Sequence, residues 1–100
     1  MILIVGANGF FGNQLQKSFL RAGISFFPTD ITLKNENYLD IRNLISIKNV
    51  LKKNNIKVVI NCSCEPATSK SKKNLWDTNV KGNRNLIEAC VELDIKKYIY

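Results

Sequence analysis

The sequence predicts an α/β fold built as a doubly wound parallel sheet. Three observations carry this expectation. Short apolar runs of strand length alternate with stretches of helical periodicity. The first run is continuously aliphatic and mostly β-branched rather than alternating, as a strand buried on both faces should be. Glycines and asparagines stand where each element should stop.

Each element then follows in order. Ile2–Val5 is the first strand, ended by Gly6. From Phe11 to Ala22 the apolar positions Phe11, Leu15, Phe19 and Leu20 recur at helical spacing, and Gly23 supplies the stop. Ser25–Thr29 is a second strand, ending at Asp30, and Ile31–Leu39 is a connection. Asn43 can cap a helix whose inward face is Leu44, Ile47, Val50 and Leu51, broken by Asn54-Asn55. Lys57–Asn61 is the third strand, and Cys62–Lys73 is a polar loop with Pro66. A longer helix spans about Asn74 to Leu93, with Trp76, Val80, Ile87 and Val91 on one stripe, before a fourth strand over Lys97–Tyr100. Right-handed crossovers predict the strand order 3-2-1-4 for these four strands and three helices. The fourth strand has no turn residue after it, so residues 1–100 are expected to be one truncated domain, the front of a longer protein.

Composition bounds the function. Hydrophobic residues make up 45% and charged residues 23%, as in a folded globular chain. Met1–Val5 is too short for a signal sequence or a membrane span, which points to the cytoplasm. Cys62, Cys64 and Cys90, with no histidine anywhere, make a poor metal site and read as small reduced residues. The net charge is +7, concentrated at Lys52-Lys53, Lys70 with Lys72-Lys73, and Lys96-Lys97. These pairs sit at element ends with few aromatics between them, so solvated surface is favoured over a nucleic-acid partner.

Chemistry begins at Gly6-Ala7-Asn8-Gly9-Phe10-Phe11-Gly12, a G-x-x-G-x-x-G run between strand and helix. One glycine permits the turn, a second admits a pyrophosphate against the backbone, and the third lets the helix pack closely. The helix start then offers free N–H groups and about half a positive charge to the phosphates. Asp30, at the end of the second strand, lies where an acid takes ribose hydroxyls, and its charge would repel a 2′-phosphate. NAD is therefore favoured, with Lys34 keeping NADP open as the alternative.

On these residues the chain resembles an extended short-chain dehydrogenase/reductase of the NAD-dependent epimerase/dehydratase family, a Rossmann-type domain, over essentially all 100 residues. The resemblance also rests on Leu39-Asp40-Ile41-Arg42-Asn43, on Val59-Ile60-Asn61-Cys62-Ser63-Cys64 and on Asp77-Thr78-Asn79-Val80-Lys81-Gly82-Asn83. It implies a cofactor site of Gly6, Asn8, Gly9, Phe10, Phe11, Gly12, Asp30 and Ile31 around the phosphates and ribose. Asp40 would accept from the adenine amino group and Ile41 would touch the adenine. Cys62, Ser63 and Cys64 would pass the nicotinamide ribose and diphosphate, and Asn79 would brace the cofactor. The family's catalytic Ser/Thr and Tyr-x-x-x-Lys are not among these residues, because Tyr38 is followed four residues later by Arg42 and Tyr98 and Tyr100 run off the end. These residues should bind a dinucleotide without transferring hydride. The resemblance further implies a nucleotide-sugar substrate and a homodimer for the full-length protein, acting as an epimerase or dehydratase. A 4-keto-sugar reductase, or a non-catalytic dinucleotide-binding regulator, are the alternatives.

Overall fold

The computed structural model describes residues 1–63 and 72–100. Its sheet has four parallel strands: β1 (Ile2–Val5), β2 (Phe26–Thr29), β3 (Val58–Asn61) and β4 (Lys97–Ile99). The first helix, α1, spans Phe10–Ala22 and ends at Gly23, whose φ of 71° closes the C-terminus in the left-handed region. Helix α2 spans Leu44–Lys53, with the Asn43 side chain accepting from the Ser46 N–H as its cap. A third helical stretch begins as α3 (Lys72–Trp76), widens into a π-helical turn (Asp77–Gly82) and continues as α4 (Asn83–Glu92). The junction residues Trp76, Gly82 and Asn83 keep right-handed helical dihedrals, so the backbone runs on as one helix, the third of the fold.

The strand order is β2-β1-β3-β4, which corrects the expected 3-2-1-4. The strand at 58–61 lies beside β1 rather than beside β2, and β4 pairs with β3 rather than with β1. The outer edge of β2 is already taken, since Asp30 N–H donates to the Asn37 carbonyl and Leu39 N–H to the Asp30 carbonyl. Pro28 lies on that edge: its carbonyl accepts from Asn37 Nδ2 at 2.8 Å on the outer side of β2, so its missing N–H also faces outward. The chain beyond β2 can then add only a single bridge, Asp30 to Tyr38, preceded by a 3-10 turn at Asn35–Asn37. The crossover through α2 returns to the open side of β1 instead.

Register decides which side chains share a face. Leu3, Phe27, Val59 and Tyr98 stand in one row across the sheet. This face carries the main core, formed with Leu39, Ile41, Ile47, Leu51, Ile56, Leu86, Ala89 and Cys90. Each fully buried aliphatic side chain there contributes about 1.5–3 kcal/mol. On the opposite face Phe19 of α1 meets Phe26, their rings 5.9 Å apart.

Two helical stripes differ from expectation. Trp76, Val80, Ile87 and Val91 are exposed, and the long helix buries Gly82, Leu86, Ala89 and Cys90 instead. Those four follow the i, i+4, i+7, i+8 pattern that brings α4 against α2 and the sheet, whereas the π turn shifts residues before it out of phase. On α1, Phe11 and Leu20 point outward, and Leu15 and Phe19 are only half-buried. Among the described residues, no helix is long and apolar enough to cross a membrane.

Candidate functional site

Parallel strands in matched register end together. Val5, Thr29 and Asn61 stand side by side, so the residues that follow, Gly6, Asp30 and Cys62, emerge at one edge of the sheet. The connection from β1 leaves toward β2 and that from β3 toward β4. The crevice where they part is the switch point at which open α/β sheets take ligands. A cavity of about 360 Å³ lies there, bounded by Gly6 and Gly9, by Asp30 and Ile31, by Asp40 and Ile41, and by Cys62 and Ser63.

The glycine loop forms its floor, and each glycine has its own reason. Gly6 has a φ of +78°, and a Cβ there would stand 2.6 Å from the Ser63 nitrogen. A Cβ on Gly12 would overlap the Gly6 and Ala7 carbonyls. Around Gly9 there is room: its Cβ would meet only the Gly6 oxygen, at 3.4 Å. The space kept open at Gly9 is therefore available to a ligand.

The loop's carbonyls are all engaged elsewhere. Gly6 O accepts from Gly9 N–H, and Gly9 O from Asn13 N–H. Ala7 O accepts from Gln16 Nε2 at 2.7 Å, and Asn8 O from Asn13 Nδ2 at 3.2 Å. Meanwhile α1 starts at Phe10 with no side-chain cap and no acidic residue in its first turn. Helix geometry leaves the N–H groups of Phe10, Phe11 and Gly12 without intrahelical acceptors. The result is a small basin of N–H donors at the positive end of a helix, which suits a phosphate. Asn13 and Gln16 went unnoticed in the sequence. Their signal was two amides on the first two turns behind the loop.

Across the cavity Asp30 is nearly buried. Its Oδ2 accepts from the Asn8 N–H at 2.9 Å, and Oδ1 accepts from both the N–H and the hydroxyl of Thr32, each at 2.9 Å. Asp40 forms a two-pronged ion pair with Arg42, whose guanidinium holds the carboxyl below its ordinary value. Burial pushes the Cys62 thiol up, favouring its neutral form.

The other expected site residues are more scattered. Phe10 and Phe11 are largely exposed, edge to face at 5.7 Å. Phe11 lines a separate apolar hollow with Leu15, Ile60 and Tyr100. Asn79 sits half-buried in the π turn beside Thr78, which does line the cavity. Cys64 lies outside the described residues. Val5, Leu39, Arg42 and Thr78 also bound the cavity, although the sequence had not marked them as site residues. Among the described residues, no group of His, Cys, Asp and Glu could hold a metal ion.

A parallel sheet, a glycine loop opening a helix and an acid at the end of the next strand define a dinucleotide-binding domain. The family model for the NAD dependent epimerase/dehydratase family matches residues 2–100, and the chain belongs to that family. NAD is the cofactor that membership assigns to it. No curated protein matches the chain by sequence. Solved structures do. A UDP-glucose 4-epimerase from Thermus thermophilus, in complex with NAD, is similar at a TM-score of 0.84 and 21% identity, over 99% of this chain and 36% of that one. The holo form of an L-threonine dehydrogenase from Cupriavidus necator gives 0.88 and 20%, over 99% and 35%. A dTDP-4-dehydrorhamnose reductase from Clostridium acetobutylicum gives 0.80 and 29%, over 96% and 34%. The chain thus spans about a third of the length of the structures it matches.

Proposed function

We propose that this chain is the NAD-binding portion of an enzyme that works on a nucleotide sugar as an epimerase or dehydratase. One observation carries the binding reading: Gly9, at the uncapped start of α1 and with room beside it, borders the same crevice as Asp30. The N–H groups of Phe10, Phe11 and Gly12 would receive the pyrophosphate. Asp30 would receive the adenosine ribose and disfavour a 2′-phosphate by charge. Ile31, Asp40 and Ile41 would enclose the adenine, with Asp40 accepting from its amino group. Cys62 and Ser63 would border the nicotinamide ribose as small, uncharged side chains, and Asn79 would brace the helix beside them. When bound, NAD supplies a hydride acceptor that can return the hydride to the oxidised sugar. Asp30 and the N–H basin hold it while the remainder of the protein brings the substrate and the acid/base pair.

A second reading, reduction of a 4-keto sugar, is favoured by the 29% identity to the dehydrorhamnose reductase. A nucleotide-sugar substrate, a homodimer and a cytoplasmic setting belong to the same proposal. The test is calorimetric titration of the full-length protein with NAD and NADP, followed by turnover on nucleoside-diphosphate sugars and their 4-keto forms. Binding of NAD, weakened about tenfold or more by Asp30→Ala, is the expected result. No binding of either dinucleotide would overturn the reading. Sugar interconversion without net use of cofactor identifies the epimerase, and stoichiometric oxidation of NADH or NADPH identifies the reductase. Binding without any turnover leaves a dinucleotide-sensing regulator.

A further inference from the structure

Asp30 is held by a small network that joins the glycine loop to the end of β2. Thr32 donates twice to Oδ1, through its N–H and its hydroxyl, and Asn8 donates its N–H to Oδ2. The Asn8 side chain closes the ring by donating from Nδ2 to Thr32 Oγ1 at 2.7 Å. A carboxylate has about four acceptor positions, and three are taken here. The remaining one is on Oδ2. Without such ties an aspartate carboxyl turns broadly about its last torsion.

We propose that Thr32 is a positioning residue for cofactor choice: with Asn8 it locks the Asp30 carboxylate so that one acceptor on Oδ2 faces the crevice. The inference rests on the reading of Asp30 as the ribose acceptor. A single fixed acceptor suits a hydroxyl, which brings a proton. A 2′-phosphate brings only oxygens and charge, and a locked carboxylate cannot rotate away from it. The same ring fixes the distance between the phosphate basin and the ribose acceptor, because Asn8 belongs to the loop and Thr32 to the strand end. Thr32 therefore raises selectivity for NAD over NADP through Asp30, without itself touching the dinucleotide.

The test measures dissociation constants of NAD and NADP on the full-length protein for Thr32→Val, Thr32→Ser, Asn8→Ala and Asp30→Ala. Thr32→Val keeps the shape and removes the hydroxyl. It should weaken NAD roughly five- to tenfold while leaving NADP nearly unchanged, so that the preference narrows. Asn8→Ala should narrow it in the same direction by less, and Thr32→Ser should restore it. An unchanged NAD-to-NADP ratio in both Thr32→Val and Asn8→Ala would overturn the inference, provided Asp30→Ala still weakens NAD. If Asp30→Ala also leaves NAD unaffected, the ribose reading itself has failed, and the role of Thr32 falls with it.

Discussion

The α-carbon of Gly12 lies against the carbonyl oxygen of Gly6, so closely that a methyl group there would overlap it and the Ala7 carbonyl beside it. The first turn of α1 can sit on the glycine loop only because position 12 has no side chain. Gly9, three residues earlier, has no such neighbour. Gly12 therefore serves the fold, and we propose that Gly9 serves the ligand.

Substitution should separate those purposes. Gly12→Ala forces backbone apart and should cost about 2–3 kcal/mol, a drop of at least about 4 °C in thermal midpoint. Gly9→Ala should leave the midpoint within about 2 °C yet weaken NAD about tenfold or more, since its Cβ occupies the phosphate's approach. Thermal unfolding with NAD titration checks both. Equal losses of stability in the two variants would show that Gly9 too is structural.

Much of this was legible in the residues. A β-branched run followed by spaced glycines fixes both a buried strand and the helix that opens on it, because the two periodicities are local. Asp30 was found for the same reason: it directly follows a strand. The strand order was not legible, since the outer edge of β2 is taken by residues 37–39, a pairing that leaves no local signal in the residues. The long helix misled because two apolar stripes compete on it, and the π turn at Asp77–Gly82 settles the phase in favour of Leu86, Ala89 and Cys90. Asn13 and Gln16 stayed hidden because an amide on a helix looks solvated until its backbone partner is known.

Tyr98 ties β4 to the long helix. Its hydroxyl donates to Asn83 Oδ1 and accepts from Asn61 Nδ2, while Asn61 Oδ1 receives the Ser63 N–H and hydroxyl at the rim of the crevice. Tyr98→Phe leaves the buried Asn61 and half-buried Asn83 amides each short of a partner and should cost about 1–2 kcal/mol. Burial pushes the phenol up to about 12 from its ordinary 10.0. The folded value is the higher one, so this contribution is complete below pH 10 and is lost as pH rises toward 12. Unfolding midpoints of the two proteins should accordingly converge between those limits. A difference that stays constant through pH 12 would show that the phenol is not the group responsible.

The Asp40–Arg42 pair gives the opposite pH dependence. Arg42 lowers the Asp40 carboxyl below its ordinary 3.8 through side-chain hydrogen bonds first, then backbone and charge. A depressed carboxyl stabilises the fold above pH 3.8, and the contribution disappears as pH falls through the lower folded value. Because both side chains are partly exposed, with that of Arg42 42% accessible, the effect should be only about 0.2–1 kcal/mol. Arg42→Gln should lower the midpoint slightly and evenly above pH 5, with the gap closing below pH 4. A gap that widened on acidification would contradict the pairing.

Gly82 lets Ile41 reach into the π turn, and this contact connects the helix to the cofactor crevice. A Cβ at position 82 would lie 2.6 Å from Ile41 Cδ1 and 2.7 Å from its Cγ1. Ile41 is buried, borders the cavity, and has its carbonyl held by Asn85 Nδ2 at 3.0 Å. With its backbone tied, the side chain can yield only toward the crevice or its core neighbours. Gly82→Ala gains up to about 1 kcal/mol of helix propensity but incurs about 1–3 kcal/mol of overpacking, so the net stability loss should stay below about 2 kcal/mol. NAD affinity should nevertheless fall several-fold, because the displaced side chain intrudes beside Asp40. Ile41→Val removes the Cδ1 methyl that collides. In the double variant, Gly82→Ala with Ile41→Val, NAD affinity should return close to that of Ile41→Val alone, a coupling of about 0.5–3 kcal/mol between neighbours. Strictly additive losses in that cycle would show that the π turn does not act on the crevice through Ile41.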